Sequence, residues 1–494
     1  MFSDNKDLIL LAQKLSKVNI IGGDEIFSDS KSKYPLIYPA ANEVIGECEE
    51  VSFEQIDQAL KFAKNSFEAW KELTPQQRAE KLMECIQELE KNKEVLSCLL
   101  VLESGKAIRT EARPEVSLFI NVLKYFAGLA PEIKGQTIPF SSNTLNFTIR
   151  EPVGVVACIV PWNVPLVLMA YKVFPALICG NTVVVKPSED ASLSLMHACR
   201  IIAKYLPKGV LNVLTGGETV GNYLTSHPYV NLISFTGSVK TGKKVYQNAA
   251  NSLKKVFLEL GGKSPMIIFP DAKLEEIIEG TIKGMRLTRM GQSCCAMSRI
   301  YVHKSLFEPF MEGLKNTLNT YVLGNPFDEN TDIGSIANLR QYKKTLDFIE
   351  KGKSNRSLVC GTLPTQAPFC NGFFINPIFY YDPPHDDTIT KEEIFGPIAT
   401  VHPWEDEEDV LKLANDTNYG LSASIWTKDI EKILYFSRKL EAGYIQVNGI
   451  QGVMPNLSFG GVKGSGIGKE ATLEAMIDTY TQSKTVLIIT RNDN

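Results

Sequence analysis

Residues 291–299 read GQSCCAMSR, and the adjacent thiols of Cys294 and Cys295 are the groups in this chain best suited to nucleophilic chemistry. A free thiol is only a few per cent ionised at neutral pH, so a working nucleophile needs help from its setting, whereas two cysteines in a packed turn need none. A helix expected over about 274–287, followed by a glycine, places Cys294 at a bend. Upstream, Glu259 in FLELGGKSP is an acid inside an apolar strand, immediately before two glycines. It reads either as a cap for the next element or as a carboxyl in an apolar site with a raised pKa, suited to general-base work. Asn163 lies between prolines in VPWNVP, at the carboxyl end of a buried strand. Its side chain either closes an Asx-turn or offers an amide to a developing oxyanion.

Two further stretches have the chemistry of phosphate and ribose binding. FTGSVKTG (235–242) places two glycines between a strand and a helix, a weak signal for phosphate at a helix N-terminus. NTVVVK followed by PSE puts Lys186 and Glu189 at a strand end, where a carboxylate would bind ribose hydroxyls and repel a 2′-phosphate. A solvated strand end explains the same two residues without a ligand.

The elements that must position these groups are set by the apolar pattern. From Glu151 onward strands alternate with helices: VGVVACIV, a helix after Pro165, NTVVVK, a helix near 191–205, then strands at 211–214 and 232–236 and a helix from Ser238. Near-continuous apolar strands in such alternation imply a parallel, doubly wound sheet. Residues 51–110 read as purely helical, and a second alternating series runs from Pro265 to about Trp426. The segments 134–151 and 478–490 alternate at period two and predict a small flap with exposed edges suited to subunit pairing.

Composition bounds the partners. The 494 residues are 44% hydrophobic and 22% charged, with a net charge of −4. That balance fits a soluble enzyme of more than one unit and argues against nucleic acid as a partner. MFSDNKDLIL lacks the apolar core of a signal peptide, and the longest apolar runs are too short to span a bilayer, so no membrane partner and a cytoplasmic location are expected. Ten cysteines without a C-x-x-C pair, and five histidines, predict neither a disulfide framework nor a metal site.

Taken together, PWNVP (161–165), KPSE (186–189), FTGS (235–238), LELGGKSP (258–265), GQSC (291–294), EEIFGP (392–397), NYGLSA (418–423) and SFGGVKGSG (458–466) resemble the aldehyde dehydrogenase superfamily, over nearly the whole chain. The resemblance implies an α/β fold of two doubly wound parallel-sheet domains plus a β oligomerisation flap. The implied NAD-binding domain spans 1–129 and 153–261, the catalytic domain 262–470, and the flap 130–152 and 471–494. It implies oxidation of an aldehyde to the acid, with NAD (or NADP) accepting hydride, and pairing into homodimers or homotetramers. The nucleophile becomes Cys294, three residues after the motif's glycine. Asn163 becomes the oxyanion donor, Glu259 the base that hydrolyses the thioester, and Lys172 and Glu470 a proton relay or a buried ion pair. Pro161, Trp162, Lys186, Ser188, Glu189, Phe235, Gly237, Ser238, Leu260, Glu393 and Phe395 are implied to hold the cofactor. Val164, Tyr171, Ser293, Cys295, Met454 and Phe459 are implied to line the aldehyde tunnel.

The chain departs from the common pattern at Met297, where glycine is usual, and at Arg289 and Met290 before GQ. It loosely resembles betaine aldehyde dehydrogenases, but only Tyr171 and Phe459 of four aromatic positions remain; the others are Val164 and Thr288. Arg286 or Arg289 near the pocket mouth would instead suit an acidic semialdehyde, if either is not simply solvated. Three alternatives stay open from the sequence: a CoA-acylating semialdehyde dehydrogenase, a catalytically silent NAD-binding homologue, and a thiol esterase.

Overall fold

The computed structural model describes residues 5–490. The first four and last four residues, with the parts of the N-terminal reading and of the flap that fall on them, lie outside the described residues.

The first sheet takes eight strands, in the order Gly466–Ile467, Lys255–Glu259, Leu232–Thr236, Val155–Ile159, Thr182–Lys186, Leu211–Val213, Val18–Ile21 and Asp24–Phe27. Lys255–Glu259 through Leu211–Val213 run parallel, and the remaining strands pair antiparallel at the edges. Its strands are apolar on both faces because both faces are covered. Val156 and Cys158 of Val155–Ile159 join one apolar cluster, whereas Val155, Ala157 and Ile159 join the other. The helices Phe53–Lys71 and Pro75–Lys91 pack against this sheet and its neighbours. Each starts at a reciprocal capping box, Ser52 with Gln55 and Thr74 with Gln77, which satisfies two of the orphan N–H groups of a helix start.

A seven-stranded sheet comes next, ordered Ser357–Val359, Ile378–Tyr381, Ile398–Trp404, Arg299–His303, Pro265–Ile268, Ser422–Trp426 and Tyr444–Val447. It is parallel except at its first pair. Met266 and Ile268 pack on one side, Ile267 and Phe269 on the other. Thr144–Pro152 and Thr481–Ile489 form a separate antiparallel ribbon, with Leu145, Ile149, Leu487, Ile488 and Ile489 exposed.

The architecture is therefore α/β with two doubly wound sheets and a small β flap, as the sequence implies. Three features go beyond or differ from the sequence reading. The chain before residue 51 holds four short strands, two of which extend the first sheet and two of which (Lys33–Tyr38 and Glu43–Glu49) form a hairpin. The second sheet continues past Trp426 to Tyr444–Val447. The helix expected over about 274–287 ends at Gly284, because Arg286 turns to a left-handed φ of 52°.

In the first sheet Val155–Ile159 lies between Thr182–Lys186 and Leu232–Thr236, so the winding direction reverses between Val155–Ile159 and Leu232–Thr236. Such a reversal opens a crevice beyond the carboxyl ends of the strands, where open α/β sheets bind ligands. Pro161, Trp162 and Asn163 follow one of these strands, Gly237 and Ser238 the other, and Glu259 ends the strand beside it.

Candidate active site

Glu259 is the last residue of its strand and is fully buried, and neither carboxylate oxygen has a hydrogen-bond partner. Burial, reinforced by the Glu470 carboxyl, pushes it up to about 8, while the facing Cys294 thiol and Lys172 oppose the shift. The Cys294 thiol faces this carboxyl within electrostatic reach, without closing a well-formed hydrogen bond. Behind it Lys172, from the wholly buried helix Pro165–Ile178, pairs with Glu470 at 3.3 Å and sits 4.8 Å from the Phe257 ring centre. The second Glu470 oxygen has no partner, and burial raises its carboxyl as well. Unpaired buried carboxylate oxygens are rare and costly, and four atoms on two adjacent acids with only one of them engaged mark a site kept open for chemistry.

Cys294 lies on an irregular segment with left-handed backbone at Arg286, Met290 (φ 55°) and Gly291 (φ 67°). Two close approaches fix this segment. A Cβ on Gly262 would lie 2.4 Å from the Cys294 carbonyl oxygen, and one on Gly291 would lie 2.1 Å from the Gly396 carbonyl. Larger residues there would push the thiol away from Glu259. Cys294 is half-buried and Cys295 is buried, with its sulfur 3.4 Å from the Ser293 hydroxyl. The adjacent Cys295 thiol, then burial and Glu259, pushes the Cys294 thiol up; the Cys294 thiol, with Arg286, Ser293 and Arg289 nearby, draws Cys295 down against its burial. The Asn163 amide donates to the Gln292 carbonyl at 3.1 Å, which aims it at the Cys294 segment. Among the described residues the Cys294 backbone N–H has no hydrogen-bond acceptor.

The crevice holds a second set of groups. Lys186 is buried 4.0 Å from Glu189, and Ser188 accepts from the Asp190 N–H at 3.3 Å. Ser238 caps the helix Val239–Ala250, the Phe235 ring lies where a Cβ on Gly237 would reach, and Leu260 packs beneath Gly242 of that helix. Across the crevice Glu393 accepts the Gly262 N–H at 2.9 Å, and Trp162 meets the Phe395 ring edge-on at 5.3 Å. Pro161 is half-buried beside Trp162. Two carboxylates at the ends, a capped helix N-terminus between them and aromatic rings at one side fit a dinucleotide.

Phe459, Cys295 and Ser293 are buried around the thiol, Tyr171 is buried on the helix Pro165–Ile178, and Val164 is half-buried just before that helix. Met454 departs from the expectation. It is 37% exposed, and its neighbour Val453 packs on Cys295 and Phe459 instead, held by the Tyr171 hydroxyl on its carbonyl at 3.1 Å. The loop turns at this point, so the side chain one position earlier faces inward. Arg289 is not at the pocket mouth with a free charge; it pairs with Glu111, whose other oxygen takes the Thr288 hydroxyl. Sequence reasoning does not single out Gln292, whose carbonyl holds Asn163 and whose side chain ties Ala337 N–H and the Arg289 carbonyl. Gln341 and Lys344, which bond the Phe395 and Glu393 carbonyls, escape it too. Gln292 is visible as the second letter of GQSC; the other two carry no local signal.

The aldehyde dehydrogenase family model matches residues 26–486. The chain belongs to the aldehyde dehydrogenase family. It is 38% identical to a hydroxyisobutyraldehyde dehydrogenase of Mycolicibacterium austroafricanum, over 94% of this chain and 92% of that one. It is 37% identical to aldehyde dehydrogenase [NAD(P)+] 1 of Saccharomyces cerevisiae, over 94% of both, and 38% identical to mouse cytosolic aldehyde dehydrogenase 1, over 93% of this chain and 92% of that one. A betaine aldehyde dehydrogenase of Staphylococcus aureus, solved with NAD+, superposes with a TM-score of 0.93 at 33% identity, covering 98% of this dehydrogenase and 97% of that chain. Among the described residues of the dehydrogenase no helix is long and apolar enough to cross a membrane.

Proposed function

We propose that this NAD(P)-dependent aldehyde dehydrogenase oxidises its aldehyde through a covalent thioester on Cys294 that Glu259 hydrolyses. The observation that carries this reading is the Glu259 carboxyl: fully buried, facing the Cys294 thiol, and without a hydrogen-bond partner on either oxygen. A structural carboxylate would be satisfied, whereas a base must keep its lone pairs for water.

Cys294 gives up its thiol proton to water, against the upward push of Cys295, burial and Glu259, and attacks the carbonyl carbon as its thiolate, forming the C–S bond of a thiohemiacetal. The Asn163 amide and the free Cys294 backbone N–H hold the oxygen on which charge develops. NAD, when bound, accepts the hydride that leaves this carbon. Lys186 and Glu189 would hold its adenosine ribose, Ser238 and Gly237 its pyrophosphate, and Glu393 with Phe395 its nicotinamide ribose. Glu259 then takes a proton from water, the hydroxide adds to the thioester carbon, and the C–S bond breaks to release the acid and the Cys294 thiolate. Glu470 and Lys172 stand behind Glu259 as the onward path for that proton. Retention of Glu259 favours water over a thiol as the acceptor, since only hydrolysis needs the base.

In this reading residues 1–129 and 153–261 form the NAD-binding domain, 262–470 the catalytic domain, and 130–152 with 471–494 a flap through which copies pair. The exposed Leu487, Ile488 and Ile489 on a ribbon edge support that pairing. The cytosolic mouse relative supports a cytoplasmic location.

The test is NADH formation from NAD and a panel of small aldehydes with wild type, Cys294→Ser and Cys295→Ser. Turnover should fall by on the order of 10³ or more in Cys294→Ser and stay within about tenfold in Cys295→Ser. Turnover that survives Cys294→Ser and vanishes in Cys295→Ser would move the nucleophile to Cys295.

A further inference from the structure

Apart from Glu259 and the Lys172–Glu470 pair behind it, the charges near the thiols cancel in pairs, with one left over. Lys106 pairs with Glu115, which also accepts the Leu166 N–H at 3.2 Å. Arg289 pairs with Glu111, and Thr288 completes that carboxylate. The first pair is buried and the second half-buried, and together they tie the segment Ile108–Ala112, the helix Pro165–Ile178 and the Cys294 loop to one another. Arg286 belongs to neither. It is half-buried, and among the described residues no carboxylate lies within 4 Å of it. Its side chain makes one hydrogen bond, to the Gln451 carbonyl at 2.8 Å.

That bond fixes where the guanidinium lies. Left-handed backbone at Arg286 turns the chain out of the preceding helix, and the side chain runs along residues 451–452. The same loop continues to Val453, which packs with Cys294 against the cluster of Cys295, Leu421 and Phe459. Arg286 also lies close enough to Cys295 and Tyr444 for its charge to act on both. Of the four positions that could box a cation only Tyr171 and Phe459 are aromatic, Val164 and Thr288 are not, and an unbalanced guanidinium repels a quaternary ammonium. A guanidinium with most of its fork unused is matched in shape and charge to a carboxylate.

We propose that Arg286 is the residue that selects the substrate, and that the substrate class is an aldehyde with a carboxylate at its far end. The aldehyde carbon would reach Cys294 while the carboxylate meets the Arg286 guanidinium. The carboxylate is a spectator: the C–H bond of the aldehyde is oxidised, NAD is reduced, water supplies the new oxygen, and the product is a dicarboxylate. This inference rests on Cys294 as the nucleophile.

The experiment compares kcat/KM for succinic semialdehyde and for butanal, matched in carbon number, in wild type, Arg286→Gln, Arg286→Lys and Cys294→Ser. A ratio in favour of the semialdehyde of about tenfold or more in wild type is expected, lowered at least about fivefold in Arg286→Gln, largely restored in Arg286→Lys, and carried by KM. Independently of turnover, succinate should slow alkylation of Cys294 by iodoacetamide in wild type and lose that effect in Arg286→Gln. A wild-type ratio below tenfold, or one that Arg286→Gln lowers less than fivefold, overturns the proposal. If Arg286→Gln does not fold, the wild-type ratio decides with its salt dependence, since added salt must lower a ratio set by charge and a ratio insensitive to salt overturns it. Loss of turnover in Cys294→Ser with an unchanged ratio in Arg286→Gln overturns the Arg286 assignment alone, whereas turnover that survives Cys294→Ser overturns both readings.

Discussion

Glu103 and Glu259 are both fully buried acids whose carboxyls burial pushes up, to about 7 and about 8. Their surroundings are opposite. Glu103, at the end of the helix Lys93–Ser104, receives the Leu193 N–H at 2.6 Å, the Ser194 N–H at 3.3 Å and the Ser194 hydroxyl, so it caps the helix Leu193–Ala203 from outside. Glu259 receives nothing, and a second acid and a thiol are turned toward it. Burial and a raised pKa are therefore shared by a structural and a functional carboxyl. What separates them is whether the donors are present.

The stability of the two sites should differ in sign. Glu259 has a folded-state pKa of about 8 against 4.5 for the free group. An acid raised on folding leaves the native state fully favoured below the unfolded pKa, and that advantage drains away as pH rises from about 4.5 to about 8. Glu259→Gln removes the penalty, so it should stabilise the protein by up to about 5 kcal/mol at pH 8 and by almost nothing at pH 4.5. Glu103→Leu should instead destabilise by about 2–4 kcal/mol at pH 4.5, where its own raised carboxyl carries almost no ionisation penalty, because the N–H groups of Leu193 and Ser194 are left buried without an acceptor, and by less at pH 8, where the variant also sheds that penalty. Denaturant unfolding of both variants at the two pH values checks the contrast. If Glu259→Gln destabilises as Glu103→Leu does, the distinction between them fails.

A smaller effect sharpens the same comparison. Only ionised Glu259 can accept a proton, so at pH 7 about a tenth of the enzyme carries a competent base. The hydrolytic rate should therefore rise with pH, by about tenfold between pH 7 and the plateau, with its midpoint near 8. Glu103→Leu should leave that midpoint where it is. A steady-state profile under conditions where hydrolysis limits turnover measures it.

Much of this site is legible in the sequence because the chemistry sits on short runs at strand ends. PWNVP follows a run of valines, LELGG closes a strand, and GQSC follows a helix, so each element that positions a side chain is adjacent to it in the chain. The illegible part depends on distant partners. Nothing near Arg289 announces that Glu111, on another element, neutralises it, and nothing near Arg286 announces that no acid does. Met454 and Val453 are equally apolar neighbours, and only the turn of the loop decides which faces the thiol. In the fold, the strands before residue 51 escape because the buried Val18–Ile21 and its exposed partner Asp24–Phe27 are each only four residues long, too brief to show a period, while Gly466–Ile467 joins the first sheet from a segment read with the second.

The most direct test of Glu259 as the hydrolytic base is rapid mixing of aldehyde and NAD with wild type and Glu259→Gln, following NADH on the millisecond scale. Thioester formation needs Cys294 and Asn163, and only its hydrolysis needs Glu259. Glu259→Gln should therefore give a burst of about one NADH per site, followed by a steady state slower than wild type by on the order of 10²–10⁴. A variant that turns over at the wild-type steady rate, or that loses the burst together with the steady state, would contradict the role given to Glu259.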